Sequence, residues 1–535
     1  MNIVPRLTAA FASCGFLLYD LDNSEGDIIY RGNIETKQFG NMIIEFVFEE
    51  GYLIDFPIAY IASESKDKII PYHFPHLNHV WEICYHDKSK IFDIYCPETI
   101  VLFCIESVKS VLDNNTYDDM EEITSEFESY WLNNYKQFFG TLTDTDDYSY
   151  VCKNWFVGKQ NLLKIDLASC KEVPIFKFET VPSISGIDWP IENYEDLKKW
   201  LDRDNPIAVK DMEKYIKNCL GRFEFELLIL IHMANIYIGL MITFFDPIVR
   251  KRKNNILRTE TVNLAIKRRH EIKRFTIDNY NANKFIKSND RENDVDLINK
   301  KILLIGAGTI GSNLANILVR NGAGIGSDGC LTIVDKDIMN PYNLSRHFLG
   351  IGHSGKKKTI ALQQELNSII PFATIIPQFK KVQKLDLRQY EIIIDSSGEE
   401  GLTIWLNENI KRLSNDILFI SIWIKGQGES VECFSMSNTQ GACHECYRRS
   451  SFYLPSVTDQ LPLRNSCMSV YVPFPITASL YASLLAMHVL HMRLSNSMYS
   501  SSLCCQKINP PQSVEEKIIK FDSECPVCGK HYIQG

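Results

Sequence analysis

The stretch Lys301-Ile302-Leu303-Leu304-Ile305-Gly306-Ala307-Gly308-Thr309-Ile310-Gly311 decides the fold of the C-terminal half. Lys301 to Ile305 reads as a buried strand, the glycines follow at once, and Ser312 to Arg320 reads as a helix. In such a strand, turn and helix, glycines let the backbone approach phosphates at a helix N-terminus, where unpaired N–H groups and the helix dipole favour anions. Alone, the turn suits NAD as well as ATP. Leu331 to Val334 then forms a second strand ending in Asp335, an acid placed to hold a ribose hydroxyl pair. Asp337, Asn343-Leu344-Ser345-Arg346 and Ser354-Gly355-Lys356-Lys357-Lys358 follow, and a later strand, Ile392 to Ile394, ends in Asp395. Strands alternating with helices from Lys301 onward predict a parallel sheet with crossover helices.

The remaining 300 residues of the 535 are long enough for further domains, and 45% hydrophobic content is ordinary for globular chains. A net charge of -9, from 57 basic and 66 acidic residues, gives no electrostatic reason to expect nucleic acid. Sixteen cysteines are scattered along the chain, with two Cys-x-x-Cys pairs, which fits a reduced, cytoplasmic setting better than a disulfide frame. The apolar stretch around Ala10-Phe11-Ala12 is too short for a signal peptide. Leu227 to Phe245 is long enough to span a membrane, but His232, Asn235 and Gly239 inside it favour a buried strand pair or core helix, so no membrane partner is expected. Residues 1–140 read as short strands followed by helices at Pro97–Leu112 and Met120–Tyr135, an α+β order. Residues 141–260 carry no chemical constellation and read as a connector, with a short helix at Asn193–Leu201. The charged stretch Lys251 to Asp296 reads as solvated helix and linker, and the third domain is set at 261–535.

The order glycine turn, D-x-D, N-L-x-R, lysine after a glycine, and acid-tipped strand resembles the E1-like superfamily of ThiF and MoeB adenylyltransferases over residues 300–535. The resemblance implies a Rossmann-like α/β adenylation domain using ATP and Mg2+. Gly306, Gly308 and Gly311 would form the nucleotide turn, Asp335 would bind ribose, and Asn343 would hold its own loop in place. Arg346 and Lys358 would neutralise phosphate charge, with Lys357 as the alternative to Lys358. The family's magnesium-binding Asp falls at Gly398 here, which leaves Asp395, Glu399 or Glu400 for the metal.

Cys443-x-x-Cys446 and Cys525-x-x-Cys528 can each supply two thiolates to a tetrahedral ion, and MoeB-like proteins place pairs similarly, so a structural Zn2+ is expected. Cys467, ahead of Pro473-Phe474-Pro475 and a long apolar helix, resembles the thioester-forming cysteine of single-domain E1 enzymes. In the N-terminal segment, His76-Leu77-Asn78, then Trp81 to Tyr85, then Tyr95-Cys96-Pro97-Glu98-Thr99 and an apolar helix resemble a ubiquitin-conjugating (E2) core with Cys84 as its catalytic cysteine. Leu77 stands where that family has proline, and Asn78 lies closer to the cysteine than the family's oxyanion donor does.

An E2-like segment, a connector and an E1-like segment in this order resemble the E2–E1 fusion proteins of bacterial CBASS antiphage operons. That resemblance implies adenylation of a partner's C-terminal carboxylate, transfer to Cys467, then to Cys84, then to an amine. The partner would be the C-terminal tail of a cGAS-like nucleotidyltransferase, or a ubiquitin-like protein, and the enzyme a homodimer. A ligase for a genuine ubiquitin-like modifier, a sulfur-carrier adenylyltransferase and a non-catalytic module that holds a partner's C-terminus remain as alternatives.

Overall fold

The computed structural model describes residues 3–529 apart from 21–25, 50–54, 72, 79, 87–91, 94, 128–130, 132–138, 145–147, 154–170, 223, 225, 235, 245–269, 280–285, 288–295, 455–463, 467, 468 and 496–499. The chain divides into two compact units, Met1–Tyr280 and Asn281–Gly535.

The N-terminal unit begins with a helix, Val4–Ser13, that buries Leu7, Ala10 and Phe11. This is the short apolar stretch of the N-terminus, and it is core: Phe11 stacks on Tyr30 with ring centroids 4.2 Å apart. Strands β1 (Leu17–Asp20), β2 (Ile28–Thr36), β3 (Gly40–Phe48), β4 (Ile58–Ile61) and β5 (Glu82–Ile83) pair in that order as an antiparallel sheet. Along β3, alternate residues Met42, Ile44, Phe46 and Phe48 are buried, the period of a strand with one face on a core. Helix Pro97–Asn114 covers that face with Ile100, Val101, Cys104, Val108 and Leu112 at helical spacing. Its first residue is proline, which costs no hydrogen bond there.

A second core in the same unit is built on a closed barrel of β6 (Phe139–Asp144), β7 (Tyr148–Lys153), β8 (Lys171–Phe178), β9 (Glu226–Met233), β10 (Ile236–Thr243) and β11 (Glu271–Asn279), in the order β10-β11-β6-β7-β8-β9. The apolar run 227–245 is its β9–β10 hairpin, paired from Glu226↔Thr243 to Met233↔Ile236. Among the described residues no helix is long and apolar enough to cross a membrane. Helices Tyr194–Leu201 and Pro206–Gly221 and the short helix Met120–Ser125 contribute to this core, where Phe127, Trp131 and Trp200 stack. Part of the charged stretch 251–296 corrects the linker reading. Residues 271–279 are barrel strand β11, in which Ile272 and Arg274 turn inward and Lys273 between them turns out.

Besides a two-stranded pair, β18 (Arg464–Ser466) with β19 (Ser469–Tyr471), the C-terminal unit contains β12 (Lys301–Ile305), β13 (Cys330–Val334), β14 (Ile375–Gln378), β15 (Ile392–Asp395), β16 (Leu418–Lys425), β17 (Ser430–Ser437), β20 (Ser502–Lys507) and β21 (Glu515–Ile518). They form one sheet in the order β14-β13-β12-β15-β16-β17-β20-β21, parallel as far as β16 and antiparallel beyond it. This is the Rossmann-like α/β arrangement expected for the domain. Chain direction across the sheet reverses beside β12, which has β13 on one side and β15 on the other, and ligands of such sheets bind in the crevice at that point. Helix Thr309–Arg320 leaves the end of β12, and helix Ile476–Ser495 packs on it, with the Ser483 hydroxyl donating to the Ile310 carbonyl at 3.1 Å.

Candidate functional site

The glycine turn at the end of β12 is built by close approach. A Cβ on Gly311 would lie 1.9 Å from the Gly306 carbonyl oxygen, so only glycine lets the helix start there. Gly306 itself has φ +90, a conformation that favours glycine. The Ser396 hydroxyl, just past β15, donates to the carbonyls of Ile305 at 2.8 Å and Gly306 at 3.0 Å, tying the two central strand ends together. Asp335 accepts the Ala307 N–H at 2.7 Å and the Asp337 N–H at 2.7 Å, so the carboxylate at the tip of β13 braces the turn. The buried His347 reaches the Ala307 carbonyl at 2.8 Å through Nε2 and accepts the Leu349 N–H through Nδ1. Burial lowers its pKa to about 4, which keeps the ring neutral with its proton on Nε2.

A cavity of about 500 Å³ opens beside this turn, lined by Gly308, Thr309 and Ile310. Asn343 and Arg346 line it from the N-L-x-R segment, Arg346 nearly buried with its guanidinium 4.2 Å over the Phe474 ring. The Asn343 side-chain oxygen is buried and has no hydrogen-bond partner among the described residues. Asn313 in the helix fixes the Arg346 carbonyl at 3.2 Å. Lys358, the first residue of helix Lys358–Ile369, is buried and lies 3.3 Å from Asp337. The exposed Lys357 instead sits 4.5 Å over the Phe379 ring. Among the described residues of the cavity lining, Arg346 and Lys425 are the cations and Glu400 the carboxylate, with Lys425 paired to Glu432 at 3.6 Å. Beyond the turn the cavity continues between Trp423, Tyr447, Tyr453 and Leu454.

The three carboxylates open to magnesium from the sequence differ in placement. Asp395 is 1% exposed and accepts from the Ser397 N–H, the Ser397 hydroxyl at 2.6 Å and the Thr403 hydroxyl at 2.6 Å. Burial pushes its pKa up. Its oxygens are spent on shaping the turn at 396–398. Glu399 is exposed and precedes helix Glu400–Lys411. Glu400 alone of the three reaches the cavity, where Tyr453 donates to it at 2.6 Å and Arg448 at 3.0 Å, and these donors hold its carboxyl below the usual range.

Cys443, Cys446, Cys525 and Cys528 come together, with Sγ atoms 4.0 Å apart for 443–446, 3.5 Å for 443–525 and 3.4 Å for 446–528. None is in a disulfide. Tetrahedral zinc bonded to four thiolates separates sulfurs by about 3.8 Å, so the donor set fits that ion. The short helix His444–Arg448 hangs from this cluster and carries His444 and Tyr447 into the cavity wall and Arg448 to Glu400. Sequence reasoning missed His347, Trp423, His444, Tyr447, Arg448 and Tyr453; only the position of His444 and Tyr447 within and beside the C-x-x-C pair hinted at two of them. Cys467 lies outside the described residues.

In the N-terminal unit Cys84 is exposed. Asn78 is closed into its own turn: its side-chain oxygen accepts the Val80 and Glu82 N–H groups at 3.0 Å, and its amide donates to Glu82 at 2.8 Å. Its oxygen and one amide hydrogen are thus committed within the turn. Cys96 is also exposed, but Asp93 beside it raises its pKa.

The crowding at the turn has a direct test. Gly311→Ala should abolish ATP binding in calorimetry and lower the melting temperature, because its methyl group overlaps the Gly306 carbonyl. Gly308→Ala, with open space around the added Cβ, should leave the melting temperature unchanged and weaken ATP binding alone. Equal ATP affinity in Gly311→Ala and the parent would contradict this geometry.

Residues 280–527 match the ThiF family. The chain is 26% identical to the ATP-dependent ubiquitin transferase-like protein Cap2 of Pseudomonas aeruginosa over 86% of its own length and 87% of that protein. It is 24% identical to the protein of the same name from Escherichia coli, over 98% of this chain and 99% of that one. A shorter match, 30% identical over 28% of this chain and 35% of the relative, is to the adenylyltransferase and sulfurtransferase MOCS3 of Dictyostelium discoideum. Residues 280–527 thus match the ThiF family, and the chain is similar, over most of its length, to proteins named ATP-dependent ubiquitin transferase-like.

Proposed function

We propose that the chain activates the C-terminal carboxylate of a partner protein with ATP and passes it through two cysteines to an amine. One observation carries the first step. A single cavity joins the glycine turn, with Asn343 and Arg346, to an extension walled by Trp423, Tyr447 and Tyr453. A nucleotide phosphate placed against the turn and a peptide tail laid in the extension meet there end to end. The tail carboxylate attacks the α-phosphorus and pyrophosphate leaves. Arg346, a planar guanidinium, and Lys358, a point charge, stabilise the charge that develops, and Asp335 takes the ribose. Magnesium, held by Glu400 with waters, would add neutralising charge to the phosphates. The acyl group then passes from the adenylate to Cys467 and on to Cys84, splitting one hard condensation into activated covalent steps.

The match to the ubiquitin transferase-like proteins runs through the N-terminal unit as well as the ThiF-family domain, which supports a conjugating role over sulfur transfer. The domain plan that serves this role is an E2-like 1–140, a connector at 141–260 and an adenylation domain from 261 to the end. By its resemblance to the CBASS fusions, the partner is a cGAS-like nucleotidyltransferase tail, acted on by a homodimer in a reducing, cytoplasmic setting.

Pyrophosphate exchange tests the first step. With a peptide of the partner's C-terminus, the chain should exchange labelled pyrophosphate into ATP. Arg346→Ala and Lys358→Ala should each reduce the exchange by about a hundredfold, the usual scale for removing one charge-stabilising group. Full exchange in both variants would overturn these assignments, and no exchange by the parent with any tail would leave a binding module.

Zinc in the four-cysteine site would hold the helix that carries one wall of the cavity. Stripping it with a strong chelator should therefore remove a single ion per chain by metal analysis, lower the melting temperature and weaken exchange together. Metal-free protein with full exchange would separate the cluster from the site.

A further inference from the structure

His76, Leu77 and Asn78 form one arm of a narrow antiparallel hairpin with residues 82–84. Leu77 bridges to Ile83, the Asn78 N–H donates to the Glu82 carbonyl at 3.1 Å, and the Cys84 N–H donates to the His76 carbonyl at 2.8 Å. His76 and Cys84 are therefore direct cross-strand partners, with side chains on one face of the hairpin. The hairpin is held in a costly shape, since His76 has φ 62 and Trp81 φ 64, left-handed values that residues other than glycine seldom adopt. Behind His76 stands the short helix Met120–Ser125, anchored by Ile123 in the barrel core. Its end supplies Glu126, 2.7 Å from His76 Nδ1, and Glu122, 3.5 Å from Nε2. A nitrogen of His76, Cys84 Sγ and a Glu126 oxygen all lie within 4.8 Å of one another.

We propose that Cys84, His76 and Glu126 form a thiol-activating triad, with His76 the proton acceptor and Glu126 the residue that positions it. The proposal rests on the conjugating role assigned to Cys84. In acyl transfer the Cys84 S–H bond breaks, its proton passes to the imidazole, and the sulfur attacks the carbonyl of the incoming thioester. The carbon–sulfur bond to the donor breaks, and the imidazolium returns its proton to the departing thiolate, so one thiol replaces another. The ionisable groups facing His76 include Glu122 and Glu126 from the helix and Cys84 across the hairpin; Glu82, on the same hairpin face, is occupied by Asn78. Hydrogen bonds to Cys84 and Glu126 raise the His76 pKa to about 10, which strengthens its imidazole as a proton acceptor. This differs from an asparagine-centred site, and it gives a reason why Asn78 can be closed into its own turn.

Alkylation by iodoacetamide, followed site by site with peptide mass spectrometry on the full chain, tests this without ATP or partner. Cys84 should react at a nearly constant rate from pH 6 to 9, while exposed Cys96 reacts only as pH rises past the ordinary thiol range. His76→Gln and Glu126→Gln should slow Cys84 about tenfold at pH 6.5 and leave Cys96 unchanged, since one charged neighbour moves a pKa by about a unit or more. Glu126→Asp should recover part of the rate, which a merely structural role for Glu126 would not give. A parent profile for Cys84 that follows Cys96 overturns the triad, whatever the variants do and even if Cys84 still carries the acyl group. A flat profile without acyl transfer keeps the triad and removes the conjugating role.

Discussion

The Gly306 carbonyl oxygen occupies the space where a side chain on Gly311 would begin. That contact sets the start of helix Thr309–Arg320 directly against the end of β12, and the Ser396 hydroxyl then ties the same carbonyl to the end of β15. The backbone of the turn is consequently packed against residues 396 and 397 at the end of β15. Asp335 and His347 brace the Ala307 peptide from opposite ends, one accepting its N–H and the other donating to its carbonyl. A neutral imidazole suits this task, because a charged one would add a cation within the turn itself.

The rest of the site is assembled around this frame by elements distant in sequence. The segment 343–346 brings Asn343 and Arg346, the turn after β15 and its helix bring Ser397 and Glu400, and the cysteine-borne helix brings His444, Tyr447 and Arg448. A four-thiol cluster beside the cavity makes physical sense. A five-residue helix has too few internal hydrogen bonds to hold a precise position, and two of its flanking or member residues, Cys443 and Cys446, are fixed to the C-terminal pair instead.

Much of this was legible in the chain. The strand, glycine turn and acid-tipped second strand are local patterns whose geometry follows from residue type, so β12, β13 and their helix lie where the pattern places them. The two C-x-x-C pairs meet as the resemblance to MoeB-like proteins implied. Other features depend on partners far along the chain and leave no local mark. Nothing in Met120–Ser125 says that Glu122 and Glu126 face His76, and nothing in Glu400 says that it meets Tyr453. The barrel was opaque for a related reason: β11 holds Glu271, Lys273, Arg274 and Asp278, so its composition reads as solvated although Ile272 and Arg274 are buried. Asp395 shows the opposite failing, an acid at the expected strand tip whose oxygens are used internally.

The relay is the central claim, and trapping its intermediates measures it most directly. The chain would be incubated with ATP, magnesium and the partner and then run on non-reducing gels, with Cys467→Ala and Cys84→Ala alongside. The account predicts a reductant-sensitive adduct on the parent, none on Cys467→Ala, and an adduct confined to Cys467 in Cys84→Ala. An adduct on Cys84 that survives the loss of Cys467, or none on either cysteine despite pyrophosphate exchange, would contradict it.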